Sequence, residues 1–170
     1  GVGFKDGASV AVKIVSSFTE RNPDGAASLM DEKNAFNSIG RDSMFDGYRM
    51  NRQSASLIPN FRSVYGEASM IVLNAADGPL TVDGVQSNSS VGCRQGCGAA
   101  ADGFCHGTHP TLCQTAFLHP TTQVICYMDD STTLNAMAKE AYLASITMGQ
   151  LYEEINGLET NWSKSCMFST

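Results

Sequence analysis

Ala8, Ala11, Val12, Val15 and Phe18 recur every three or four positions, which places them on one face of a helix over residues 7–18. Asn22-Pro23-Asp24-Gly25 is turn chemistry, and the short apolar run Ala26 to Met30 reads as a strand leading into Asp31. Asp42 is placed to cap a helix running to about Met50, and a second helix is expected over residues 54–64, bent at Pro59. Met70 to Leu73 reads as a strand, Ala76-Asp77-Gly78-Pro79 as a turn, and Leu80 to Val85 as a second strand. A glycine-rich loop spans residues 92–98. Small residues from Ala99 to about Thr108 predict a helix whose continuation Pro110 disturbs. Val124 to Tyr127 predicts a buried strand, with Thr132-Thr133-Leu134 as its hairpin partner and Asp129-Asp130 at or near the turn. A helix is expected over residues 138–155, stopped by Asn156-Gly157, and Cys166-Met167-Phe168 reads as a last strand. Helices and strands interleave around one antiparallel hairpin, so the fold class is α+β.

The 170 residues suffice for one domain with a core, or for a large piece of a bigger one. A hydrophobic share of 42% and a charged share of 16% exclude a disordered chain. No apolar run approaches the ~20 residues of a membrane span, so no membrane partner is expected. The net charge of −6 argues against a self-sufficient nucleic-acid binder. Arginines gather only locally, at Arg41, Arg49, Arg52 and Arg62, in a segment suited to phosphate contacts or to a solvated helix face. Six cysteines without a secretion signal point to free thiols in a reducing, intracellular setting, either nucleus or cytoplasm.

The sharpest chemical signal is Tyr127-Met128-Asp129-Asp130, two acids between an apolar strand and a polar one. Such a hairpin holds carboxylates at the rim of a sheet, where Mg²⁺ or Mn²⁺ finds the hard oxygens it requires. Neighbouring side chains on a strand point to opposite faces, so the two acids are not equivalent, and Asp129 ranks first. A polar hairpin turn explains the same pair without a metal. Asp31, at the end of another apolar strand, offers a third carboxylate, or a cap.

The block Asp31-Glu32-Lys33-Asn34-Ala35-Phe36-Asn37, followed later by Tyr127-Met128-Asp129-Asp130, resembles motifs A and C of reverse transcriptases, and the Asn-Ala-Phe-Asn form is similar to non-LTR (LINE-like) retrotransposon enzymes. Gly1 to Gly7 resembles their Gly-Phe-x-x-Gly lead-in. Gly92-Cys93-Arg94-Gln95-Gly96 resembles motif B, and Gly157-Leu158 with Asn161-Trp162-Ser163-Lys164-Ser165 resembles motif D. The resemblance implies a right-hand polymerase palm, an antiparallel sheet with helices on one face, plus part of the fingers. It implies two-metal transfer of deoxynucleotides to a primer on an RNA or DNA template. Asp31, Asp129 and Asp130 would hold Mg²⁺ or Mn²⁺, with Lys164 donating a proton to pyrophosphate. Phe36 would gate the sugar, and Gln95, Gly96 and Tyr127 would contact the incoming nucleotide. Arg41 and Arg94 would meet nucleic acid. Further fingers residues are expected upstream of Gly1 and a thumb downstream of Thr170, in the remainder of a parent polyprotein, so the isolated chain is expected to be inactive.

The sequence departs from the family at Glu32, where an aromatic or aliphatic residue is usual, and at Cys97-Gly98-Ala99-Ala100 after motif B. Those departures and the acidic charge leave room for a repurposed, non-catalytic palm that binds nucleic acid or protein. A viral RNA polymerase would place a second Asp where Phe36 stands. A zinc module built from Cys93, Cys97, Cys105, His106, His109 and Cys113 is a third reading, although the spacing matches no paired Cys-x-x-Cys pattern.

Overall fold

The computed structural model describes residues 6–70, 74–75, 78–79, 88–94 and 96–169. Helix α1 (Gly7–Arg21) leads through the 22–25 turn into strand β1 (Ala26–Met30). A single helical turn, α2 (Ala35–Ser38), and helix α3 (Arg41–Met50) follow. Asp42 does not cap α3; Gly40 occupies that position, and Asp42 lies in the first turn, where its charge still suits the helix dipole. A 3₁₀ turn (Ala55–Leu57) precedes α4 (Ile58–Tyr65), and Pro59 starts α4 instead of bending it, because the first turn has no use for its missing N–H. Two short ladders follow, β2 (Ser69–Met70) with β5 (Asn88–Ser89) and β3 (Asn74–Ala75) with β4 (Gly78–Pro79). The strands expected over 71–73 and 80–85 lie outside the described residues.

Helix α5 (Ala100–Leu118) continues through Pro110 for two further turns. Residue 110 has no N–H to give to the carbonyl of His106, so that oxygen is left free along the helix. It points at Gly47 of α3: a Cβ built on Gly47 would sit 1.9 Å from the His106 oxygen. The proline and the glycine therefore act together. One frees a carbonyl, and the other lets α3 and α5 close on it.

Strands β6 (Gln123–Tyr127) and β7 (Asp130–Asn135) form the expected hairpin. Helix α6 (Ala138–Leu151) passes into a π turn (Tyr152–Asn156), and Gly157 ends it in the left-handed conformation, φ +67°. Strand β8 (Cys166–Ser169) completes a four-stranded antiparallel sheet of order β6-β7-β1-β8. Met30 and Val124 face a core built with Ile39, Met44, Phe104 and Met148 from the helices behind. Leu29, Ile125 and Thr132 alternate with them and face α1 across a cavity of about 490 Å³. Helices thus lie on both faces of the sheet, where one covered face was expected. Among the described residues no helix is long and apolar enough to cross a membrane.

Asn156 ties the layers together. Its Nδ2 donates to the Gly107 carbonyl (2.7 Å), its Oδ1 accepts from Thr111 (2.6 Å), and its own carbonyl accepts from Gly40 N–H (2.7 Å). The sequence reading gave it only the stop of α6.

Gly47→Ala should destabilise the protein by about 1–3 kcal/mol, because the methyl group must push α3 away from α5. Urea unfolding measures this.

Candidate active site

Strand pairing gathers the acids at one end of the sheet. Met30 lies opposite Ser131 and Tyr127 opposite Asp130, so Asp31, one residue past β1, emerges beside Asp130. Met128 holds the hairpin turn at φ 57°, an unusual value for a residue with a side chain. The Cys126 thiol donates to the Met128 carbonyl (3.0 Å) and braces the turn. Asp129 then opens onto a cavity of about 310 Å³ that it shares with Phe36, Gly96, Cys97, Ala100 and Ala101. Burial, followed by the negative charges of Asp129 and Asp31, raises the pKa of the Asp130 carboxyl.

The expected sites are not all in one place. Tyr127 and Asp130 are opposite partners on one strand pair, and both line the cavity under α1. The Phe36 ring stacks on Phe104 at 4.6 Å between centroids and lines the cavity of Asp129. Gln95 lies outside the described residues. Lys164 brings its Nζ to 4.0 Å from Asp31 Oδ2.

Arg41 corrects an expectation. It is buried, at 8% exposure, and does not present itself to phosphate. Its guanidinium donates to the carbonyls of Gly92 (3.0 Å) and Glu67 (3.1 Å) and to Ser89 Oγ (3.0 Å). It thereby binds the 88–94 loop to α3. Backbone bonds from Gly92 N–H to the Ile39 carbonyl (2.9 Å) and from Cys93 N–H to the Phe36 carbonyl (2.6 Å) seat the same loop on the Phe36 turn. Gly92 is needed there, with φ +71° and a built Cβ 2.2 Å from the Asn37 carbonyl oxygen. Arg94 stays exposed, its N–H donating to the Tyr65 hydroxyl (3.1 Å).

The donor set fits a hard divalent cation, since all three side chains are carboxylates at one rim. Among the described residues, no three acids, histidines or cysteines stand close enough to hold a metal ion by themselves. Mg²⁺ usually takes one or two carboxylates and completes its shell with water and substrate phosphates. Among the described residues, the cysteine–histidine cluster shows one close side-chain pair, Cys113 Sγ and His109 Nε2 at 3.5 Å.

Two features escaped the sequence reading. Glu32 is buried, and neither carboxylate oxygen completes a hydrogen bond among the described residues. Burial pushes its carboxyl up to about 7; the nearby Thr160 hydroxyl offsets part of the rise and the Asp31 charge adds to it. The second is the clamp on Asp31. Asn161 Nδ2 donates to Asp31 Oδ2 (3.1 Å), and Asn161 N–H donates to the Asp31 carbonyl (2.7 Å). Asp31 N–H donates to Ser165 Oγ (3.2 Å), which donates to the Asn161 carbonyl (3.0 Å). Within Asn161-Trp162-Ser163-Lys164-Ser165 only the lysine had carried a role.

By sequence the chain matches no family model and no curated protein. By structure it is similar to apo telomerase from Candida tropicalis truncated from the C-terminal domain, with a TM-score of 0.64 at 10% identity over 97% of this chain. Telomerase from the same organism in complex with a TWJ fragment of telomeric RNA gives a TM-score of 0.60 at 8% identity over 95% of this chain. The likeness is one of fold, an α+β arrangement with a four-stranded antiparallel sheet that matches part of those telomerase structures. The chain spans about a third of those telomerase chains, 35% and 29% of their lengths.

Glu32 sets a pH dependence of stability. Its folded pKa, about 7, lies above its ordinary value of 4.5, so the native state holds the extra proton between those limits. Stability from this group is complete below pH 4.5 and falls as pH rises through 7. Glu32→Gln should remove that decline and leave the variant more stable than the parent at pH 8, as thermal unfolding across pH 4–8 would show.

Proposed function

We propose that this chain is the palm core of an RNA-directed DNA polymerase of the non-LTR retrotransposon type. The observation that carries the reading is the meeting of Asp31 and the Asp129–Asp130 hairpin at one sheet end, beside the cavity of Phe36. The likeness to telomerase supports the fold, and an RNA or DNA template is the partner this reading gives the chain. Deoxynucleoside triphosphates and a primer would complete the substrates. The resemblance to retrotransposon enzymes rests on the Asn34-Ala35-Phe36-Asn37 block.

Asp31, Asp129 and Asp130 would hold Mg²⁺ or Mn²⁺, which would offset the negative charge of the reacting phosphate and ease loss of the proton from the primer hydroxyl. The chain's own residues do the positioning. The stack on Phe104 fixes the Phe36 ring at the wall of the Asp129 cavity, where it would exclude a 2′-hydroxyl. The Arg41 clamp holds the loop before Gly96 against that wall. Lys164 places an ammonium group beside Asp31. Nucleotidyl transfer depends largely on such positioning and charge stabilisation. Arg94 is the exposed cation for the nucleic-acid backbone. The fingers and thumb of this reading would belong to the rest of the parent protein.

A non-catalytic palm is the second reading, favoured by the unpaired Glu32 carboxylate beside Asp31 and by the net charge of −6. Divalent-cation affinity separates the two, since a scaffold needs none.

In the full-length parent protein, Asp31→Asn or Asp129→Asn should abolish primer extension while leaving the circular dichroism of the fold intact. Phe36→Ala should raise ribonucleotide incorporation relative to deoxynucleotide. Active Asp→Asn variants would refute the polymerase reading, and unchanged sugar discrimination would refute the gate.

A further inference from the structure

The clamp on Asp31 is built from parts that a loop does not need for its own stability. The 159–161 segment already pairs with the 31–33 segment through its backbone: Lys33 N–H reaches the Glu159 carbonyl (2.8 Å), Asn161 N–H reaches the Asp31 carbonyl (2.7 Å), and Glu32 bridges to Thr160. Ser165 then takes the Asp31 N–H. With the backbone thus fixed, the Asn161 side chain adds one thing, an N–H donated to Asp31 Oδ2 at 3.1 Å. Lys164 Nζ lies 4.0 Å from the same oxygen. Both donors converge on Oδ2. Among the described residues none donates to Oδ1.

A carboxylate on a half-buried strand end can rotate and present either oxygen. A hydrogen bond from an amide N–H to one oxygen fixes the plane of the group and leaves the other oxygen to a different partner. Outer partners of this kind orient metal-ligating carboxylates, and their loss typically weakens metal binding about 10–100-fold. A neutral amide does this without cancelling the charge that a cation requires. A second lysine at this position would compete with the cation.

We propose that Asn161 is a positioning residue that holds Asp31 Oδ2 so that Oδ1 is presented to the divalent cation. The inference rests on the polymerase reading only for the identity of the cation, and it assigns a role to an amide that the family resemblance left without one.

The test uses the full-length parent protein and Mn²⁺ alone, with bound ion counted by electron paramagnetic resonance. Asn161→Ala should weaken Mn²⁺ binding about tenfold. The same substitution in an Asp31→Asn background should change nothing further, because the amide acts through that carboxylate. Equal Mn²⁺ affinity in Asn161→Ala and parent overturns the proposal, as does an equal loss in the two backgrounds. A measurement on the unsubstituted protein guards against a variant that does not fold: the Asn161 side-chain amide resonances should broaden at substoichiometric Mn²⁺. Their persistence would also overturn the proposal. Primer extension is assayed separately. Asn161-dependent Mn²⁺ binding in a protein that extends no primer would keep this inference and remove the polymerase reading. Mn²⁺-dependent extension indifferent to Asn161 would do the reverse.

Discussion

The antiparallel pairing of β1 with β7 is the constraint on which the candidate site depends. It fixes Met30 against Ser131, and so fixes where Asp31 leaves the sheet. A slip of one residue would turn Asp31 to the other face and separate it from Asp130. The register is held because Met30 must enter the core while Leu29 faces α1. Hydrophobic burial thereby sets the position of a polar group. The second side of β1 pairs with β8, and the chain just before β8 supplies Asn161, Lys164 and Ser165. One central strand thus draws two remote segments to one end of the sheet.

The wall of the site is built by a second device. The loop carrying Gly92 to Arg94 has no strand of the main sheet to lean on. It is held by the Arg41 guanidinium, two backbone bonds to the Phe36 turn, and a hydroxyl from Tyr65. The helix that follows it, α5, is pressed against α3 at Gly47 and joined to Asn156. An arginine without these carbonyls would be a costly thing to bury; here each direction of its fork meets an oxygen. Cavity wall and acid rim are therefore anchored by different interactions, and a defect in one need not disturb the other.

Most elements were legible in the sequence because their apolar periods are strong, as in α1, β1 and the β6–β7 hairpin. Asp31, Phe36, Asp129 and Asp130 were legible as candidates because their order and spacing resemble a known family. What the sequence hid was pairing at a distance. Arg41 looked like a surface cation because arginines cluster around it, and nothing local shows which of them finds buried carbonyls. Pro110 looked like a helix end because the partner that makes its lost bond tolerable, Gly47, lies on another helix. Asn161 gave no signal of its own, and Glu32 showed only as a departure from the family pattern; the meaning of both comes from Asp31 beside them.

The account stands on a cation held where the two acidic strand ends meet. The most direct measurement is a crystal structure of the full-length protein soaked in Mn²⁺, read by anomalous scattering. Peaks bound by Asp31 and Asp129 at the rim beside Phe36 are the predicted result. Full occupancy of Mn²⁺ elsewhere with none at that rim, or Asp31 turned to the far face of the sheet, would contradict it.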